Sequence, residues 1–260
     1  MTFDPGIADL LAVLSGAMVG LTLAVVGGGG SILAVPLLLY VVGVANPHVA
    51  IGTGALAVSV NAFANLIAHS RAGNVKWPCA VVFGGSGVAG AFIGSILGKL
   101  VDGQQLLFLF GLVMVAVALA MFWPRKTEGD PNVRITPAIA VRLVAIGLLT
   151  GLLAGFFGIG GGFLIVPGIM VGSGMAMLNA VGSSLFSVGA FGLTTAVSYA
   201  ADGLVDWRIA GEFILGGLGG GMAGLGLATQ LSARKGLLNR VFAGIVLAVA
   251  AYIIWRSFPI

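Results

Sequence analysis

The sequence predicts an all-α polytopic membrane protein made of two inverted repeats of about five hydrophobic helical segments each, with helices broken at two glycine clusters. Three observations carry this. First, 59% of the 260 residues are hydrophobic, only 8% are charged, and the mean hydropathy is +1.14. Soluble chains carry roughly 25% charged residues, so too few polar side chains are present to cover a surface facing water. Second, no Asp, Glu, Lys or Arg lies between Leu10 and Ser70 or between Leu143 and Ala201. As helix, a run of roughly 60 residues extends about 90 Å, or three passes of a hydrocarbon core about 30 Å thick. Third, the chain repeats itself.

Laying residues 27 to 77 over 158 to 207 pairs Gly27 with Gly158, Gly29 with Gly160, Gly30 with Gly161 and Pro36 with Pro167. After a one-residue gap, Gly52 meets Gly182, Thr53 meets Ser183, Gly73 meets Gly203 and Trp77 meets Trp207. The shared order and spacing of Gly, Pro and Trp point to duplication. The most polar stretch, PRKTEGDPNVRITP (124 to 137), reads as a cytoplasmic linker between a first repeat, 1–123, and a second, 138–260.

In order, the hydrophobic segments are 9 to 26, 31 to 45, 47 to 70, 78 to 99 and 104 to 123, then 138 to 157, 162 to 172, 176 to 200, 208 to 230 and 237 to 256. Five crossings per half, being odd, would insert the second half upside down. Ten crossings put Arg71, Lys76, Arg125, Lys126, Arg134, Arg142, Arg234, Lys235 and Arg240 on one side and Lys99, Arg208 and Arg256 on the other. The positive-inside rule then makes the first side cytoplasmic and leaves both termini outside. Should the short second segments not cross, nine against three becomes eight against four.

The remaining composition is limiting. Asp4 and Asp9 precede the first apolar segment with no Lys or Arg, so a basic signal-peptide region is lacking and the segment is expected to be retained. Cys79, the single cysteine, rules out an intrachain disulfide and a cysteine-only metal site. The net charge of +4 sits in short loops between spans, where bilayer orientation explains it without nucleic acid. No cofactor and no metal are expected.

The glycine clusters, VVGGGGSILAVP (25 to 36) and FFGIGGGFLIVP (156 to 167), are expected to be unwound backbone within membrane depth. Such backbone cannot face lipid and has to be buried in protein or line a wet cavity. The helix after each cluster either begins near Ser31 and Gly162 and bends at the proline, or begins with proline in its first turn. In both versions the unpaired N–H groups and positive dipole end suit an anion. The alternative is tight packing of helices on small residues, which is the reading for GGSGVAGAFIG (84 to 94) and GGLGGGMAGLG (216 to 226).

Two copies of a glycine cluster, apolar stretch and proline, GGGGSILAVP and GIGGGFLIVP, are each followed by IGTGAL or VGSSLF and then by AGNVKW or DGLVDW. This pattern resembles the sulfite exporter TauE/SafE family, also called the toluene-sulfonate uptake permeases. The resemblance covers nearly the whole chain. It implies a secondary transporter moving a small sulfur-containing anion (sulfite, a sulfonate or sulfoacetate) across the bacterial inner membrane.

Repeat logic nominates matching positions from both halves for substrate: Gly28, Gly29, Gly30 and Ser31 with Gly160, Gly161 and Gly162, and Thr53 with Ser183 and Ser184. Those hydroxyls either donate to an oxyanion or bond a carbonyl one turn back or a neighbouring helix. Asn61, Asn65 and Thr195 lie further along the same segments and read as pore-lining or as links between helices. His69 and Glu212 are candidates for proton coupling, because an ionisable group within a span is a functional candidate; Glu212 reaching the interface is the alternative. His48 lies near a segment end, and Trp77 and Trp207 read as headgroup anchors.

No Gly-x-Ser-x-Gly elbow, no His-Glu-x-x-His and no acid and His cluster within one span occur, so a membrane-embedded enzyme ranks below a transporter or a passive anion channel. The expected partners are a small anion and the bilayer, with oligomeric state left open.

Overall fold

The computed structural model of the chain describes residues 5–122, 129–130, 133–158, 162–230 and 235–257. Within them the chain is helical apart from short connections and an isolated bridge between Asp130 and Met175. The helices are α1 (Pro5–Val26), α2 (Ala34–Leu37), α3 (Pro47–Arg71), α4 (Trp77–Leu100), α5 (Gly103–Phe122), α6 (Pro137–Phe157), α7 (Gly162–Ser173), α8 (Met177–Ala201), α9 (Trp207–Gln230) and α10 (Lys235–Ser257). A 3₁₀ turn, Gly27–Leu33, leads into α2, and a π turn, Leu38–Val42, leads out of it.

Local chemistry sets the boundaries. Proline stands in the first turn of α3 and α6, where its missing N–H is no loss. Asn46 caps α3 by accepting from the His48 N–H at 2.9 Å, and Thr136 caps α6 by accepting from the Ile139 N–H at 3.3 Å. Gly43 and Gly174, at φ 89° and 73°, stop the two short second segments, and Gly73 and Gly203, at φ 72° and 71°, turn the chain after α3 and α8. Each pair occupies matching positions of the two halves, so the duplication includes its stop signals.

Five helices, α1, α3, α4, α6 and α8, are long and apolar enough to cross a membrane. At 20, 24 and 23 residues, α5, α9 and α10 measure about 30 to 36 Å. The 12-residue α7 measures about 18 Å and falls short of the core on its own.

Close approaches at glycine show how the helices run. A Cβ on Gly16 would come within 2.0 Å of the Phe213 carbonyl, one on Gly20 within 1.9 Å of Gly217 and one on Gly220 within 1.9 Å of Ala17. Contacts thus ascend together along α1 and α9, which are parallel. The same holds for α4 and α6, where Gly147 meets Phe83, Gly151 meets Gly87 and Gly90 meets Leu148. Asn61 and Asn65 of α3 meet Gly217 and Gly221 of α9, and Phe186 and Phe191 of α8 meet Gly84 and Gly87 of α4. Helices α1, α3 and α9 therefore form one parallel group, and α4, α6 and α8 another. The groups are antiparallel across α3 and α8: Ala55 lies near Gly192, and Phe63 near Gly189.

These contacts correspond under exchange of the halves. Gly20 against Gly217 has its counterpart in Gly151 against Gly87, and Gly16 against Phe213 in Gly147 against Phe83. Both glycine stripes, 84 to 94 and 216 to 226, serve packing as the sequence suggests. One end of the bundle joins Asp9 to Arg208, Lys99 to Asp202 and Pro47 to Gly103. The other, the linker end, joins Asn74 to Asn179, Lys76 to Ser183 and Asp130 to the carbonyl of Gly174.

Alanine should separate these glycines by their surroundings. Gly20→Ala and Gly151→Ala push a methyl into facing backbone and should each cost about 1–3 kcal/mol. Gly85→Ala and Gly219→Ala, with nothing within 4 Å of the added carbon, should be neutral or slightly stabilising. Thermal unfolding followed by size-exclusion of detergent-solubilised protein measures the contrast.

Candidate functional site

The first glycine cluster differs from the expectation of unwound backbone. Gly27 to Gly30 wind into the 3₁₀ turn that continues to Leu33. The physical reason is bonding: i to i+3 bonds keep peptide groups paired where unwound backbone would leave them without partners. Gly30 is buried, and a Cβ on it would lie 2.4 Å from the Leu23 nitrogen of α1. The turn packs against α1, α7 and α8. Ser31, at its centre, is fully buried.

In the second half, α6 ends at Gly158, whose φ of 67° places it in the left-handed region. A Cβ there would come within 1.8 Å of Ile51 Cγ2. Gly160 and Gly161 lie outside the described residues. Gly162 opens α7 and is buried, with Pro167 inside that helix. Of the two helix starts considered, α7 follows the one that begins at Gly162. In the first half, α2 instead begins at Ala34 with Pro36 in its first turn, the other start considered. The helix segments after the two clusters are brought together, since the 3₁₀ turn lies against α7.

Thr53 and Ser183 are both fully buried, and each acts across the halves. Thr53 Oγ1 accepts from the Asp206 N–H at 2.9 Å, and Ser183 Oγ accepts from the Lys76 N–H at 2.9 Å. A Cβ on Gly52 would be 2.2 Å from the Leu204 carbonyl oxygen, and one on Gly182 would be 2.8 Å from that of Asn74. So IGT at the start of α3 grips DGLVDW of the second half, and VGS at the start of α8 grips AGNVKW of the first. Ser184 bonds back to the Val181 carbonyl at 2.7 Å.

The other candidates separate. Asn61, fully buried, points its amide at Gly217 of α9 with both Nδ2 and Oδ1 unpartnered. Asn65 donates to the Asn61 carbonyl at 2.9 Å and faces Gly221. Thr195 is fully buried with its hydroxyl unpartnered. His69 is buried near the linker end of α3, with the Ala24 backbone of α1 as its polar neighbour. Glu212 shares Arg208 with Asp9, at the opposite end of the bundle from His69. Trp207 is exposed and Trp77 largely so, as headgroup anchors would be.

Three polar groups stand out only in the fold. Ser59 donates from α3 to the Gly189 carbonyl of α8 at 2.7 Å; its counterpart by repeat is Gly189 itself, a hydroxyl facing a bare peptide. Ser187 is fully buried, beside Gly84, and unpartnered. Tyr199, also fully buried, has an unpartnered hydroxyl. Among the described residues no group of three His, Cys, Asp or Glu side chains converges as a metal site.

The family model for the sulfite exporter TauE/SafE matches residues 12–253. The chain belongs to the TauE/SafE family. A "Probable membrane transporter protein" of Xylella fastidiosa (strain 9a5c) is 56% identical over 249 residues, covering 95% of each chain. "Probable membrane transporter protein YunE" of Bacillus subtilis is 26% identical over 86% of this chain and 90% of its own length. "Probable membrane transporter protein MJ0441" of Methanocaldococcus jannaschii is 29% identical over 60% of each. No solved structure matches the chain. The paired motifs that carry the TauE/SafE resemblance are therefore the segments that clasp one half to the other.

Removing a clasp hydroxyl leaves a buried N–H without an acceptor, which costs about 1–3 kcal/mol. Thr53→Val and Ser183→Ala should each lower the melting temperature, while Thr53→Ser should restore it. Equal melting temperatures for Thr53→Val and the parent would show that the bond is not retained in the membrane.

Proposed function

We propose that this TauE/SafE protein is a secondary transporter of a small sulfur-containing anion (a sulfonate, sulfoacetate or sulfite), working by alternating access between two inverted halves. The observation that carries this reading is the exchange of equivalent contacts. The glycine approaches of Gly16, Gly20, Gly220 and Gly224 between α1 and α9 have partners at Gly147, Gly151, Gly90 and Gly94 between α4 and α6, and both clasps are reciprocal, as a pseudo-two-fold axis in the membrane plane requires. The antiparallel contact of α3 with α8 supports the inversion, and the transporter names of the relatives support the class.

The ends of the bundle support ten crossings. Arg71, Lys76, Arg134 and Arg142 lie toward the linker end, while Lys99, Arg208 and Arg256 lie toward the other. The linker end is then cytoplasmic and both termini lie outside, in the bacterial inner membrane.

The substrate site in this reading lies near the midplane at the two glycine breaks and draws on Gly28, Gly29, Gly30 and Ser31 together with their repeat counterparts Gly160, Gly161 and Gly162. No Lys or Arg is among these residues. A helix end returns about 0.3–2 kcal/mol to an anion and a charge-assisted hydrogen bond about 1.5–3, against a desolvation cost of several kcal/mol per charge. Such donors suffice for a monoanion and fall short for a dianion. A singly charged sulfonate is favoured over doubly ionised sulfite.

Thermal-shift measurements on purified protein with sulfonates, sulfite, sulfate, carboxylates and cations test the class: sulfonates should stabilise, and cations should not. Tighter binding of sulfite at a pH where it is a dianion overturns the charge argument. Gly29→Leu and Gly161→Leu should each abolish uptake while expression is retained; uptake surviving in both removes the site from the glycine breaks. Single-channel currents without saturable counterflow would favour the passive channel.

A further inference from the structure

Two ladders of buried side chains, spaced by four residues and so aligned on one helix face, run through the bundle. On α3 they are Asn61, Asn65 and His69; on α8 they are Phe191, Thr195 and Tyr199. Each residue of one ladder matches the corresponding residue of the other under the repeat. All six are at most 8% exposed. Asn61, Thr195 and Tyr199 keep polar side-chain atoms without any partner, and His69 has the Ala24 backbone of α1 as its polar neighbour. In hydrocarbon each such atom costs several kcal/mol, a cost relieved if the face is hydrated during the working cycle. Because α3 and α8 are antiparallel, the first ladder leads to the linker end and the second to the end that holds Asp9.

Among the described residues, the second ladder has a cap and the first has none. Lys99, at the end of α4, donates to the Ser198 carbonyl at 3.0 Å and to the Asp202 carboxylate. Its ammonium stands 5.7 Å from the centre of the Tyr199 ring, the last rung. Beyond it opens a cavity of ≈ 750 Å³, which Lys99 shares with Asn46, His48, Asp102 and Gln104. The Asp102 carboxylate is committed to capping α5, accepting from the Gln104 and Gln105 N–H groups. By the repeat, Lys99 corresponds to Thr229 and Asp202 to Ala72, so the first ladder has no equivalent ion pair.

We infer that the two ladders are the two half-paths by which water and a small polar solute reach the centre of the bundle, and that the Lys99 to Asp202 and Ser198 cap is the gate between the second half-path and the outer cavity. The inference rests on the transporter reading for its solute, but its test needs no substrate. His69 closes the first half-path without a titratable side chain facing it from α1 between Leu10 and Val26 or from α9 between Phe213 and Gln230.

The test uses the full chain in lipid nanodiscs with Cys79→Ala as background and Thr195→Cys as reporter, labelled by a charged methanethiosulfonate. Labelling should be slow with Lys99 present. It should rise at least about tenfold in Lys99→Met, which loses both charge-assisted hydrogen bonds, and about tenfold in Asp202→Asn, which loses one, and stay slow in Lys99→Arg. Fast labelling with Lys99 intact, or no change in Lys99→Met, overturns the gate. Ser198→Cys, nearer the cap, serves as reporter if Thr195→Cys is not monodisperse. Asn65→Cys separates gate from transporter: a fall in its labelling in Lys99→Met means the half-paths alternate. Labelling of both reporters together in Lys99→Met keeps the gate and sinks alternating access in favour of a channel.

Discussion

Hydrocarbon gives a peptide group nothing to bond with, and it gives apolar helices no reason to prefer each other over lipid. The rest of the structure depends on how this chain meets those two conditions with glycine. Where α1 must turn back on itself, Gly27 to Gly30 wind a 3₁₀ turn that keeps donors and acceptors paired. Where helices must adhere, glycine stripes on α4 and α9 let backbone touch backbone, with hypothetical Cβ atoms falling near 2 Å from facing carbonyls. Dispersion is individually weak but grows steeply as surfaces close, so a bare stripe binds a neighbour that leucine would hold at a distance.

The same condition applies where the chain leaves the membrane core. The loops after α3 and α8 turn on left-handed glycines, Gly73 and Gly203, and such turns expose N–H groups that the helices no longer serve. The Lys76 and Asp206 donors find their acceptors in Ser183 and Thr53, each from the opposite half. Each of these two bonds is worth about 0.5–1.5 kcal/mol net, and they join the halves alongside Asn179 to Asn74 at the linker end and the Lys99 and Arg208 ion pairs at the other. The exchange ties each loop to the opposite half. It also explains why the motifs IGT and DGLVDW travel together through both repeats, since neither has a partner without the other.

Much of this was legible in the sequence, because period and composition act locally. The ten segments fall within a few residues of the observed helices, with α2 drawn as a longer segment that the structure resolves into 3₁₀, α and π turns. The glycine stripes could be read as packing because nothing else covers a helix face with so little. Which hydroxyl faces which neighbour was not legible. Thr53 and Ser183 look like oxyanion donors when their helices are considered alone; only the crossing of the halves shows that their oxygens already accept from distant N–H groups. Asn61 and Asn65 were similarly undetermined, because a four-residue spacing fixes a shared face without naming the helix opposite, here α9. Lys99 had no signal of its own, since its acceptor is a main-chain carbonyl about a hundred residues away.

Duplication also sets a limit on what symmetry can accomplish. Two halves related by exchange would give inward-facing and outward-facing states of equal energy, and a ligand with equal affinity for both would shift neither. Any preference must come from positions where the repeats differ. The ion pairs seen among the described residues, Lys99 with Asp202 and Arg208 with Asp9 and Glu212, all lie at one end of the bundle and join helices that meet there. Their counterparts by repeat are Thr229 and Ala72 for the first, and Pro78, Ala140 and Val82 for the second. A difference of about 1.4 kcal/mol between two such states changes their ratio tenfold, so one partly buried pair is enough to set the resting state of an otherwise balanced scaffold. Under the alternating-access proposal, the departures from the repeat, more than the repeat itself, set which way the protein faces when it is empty.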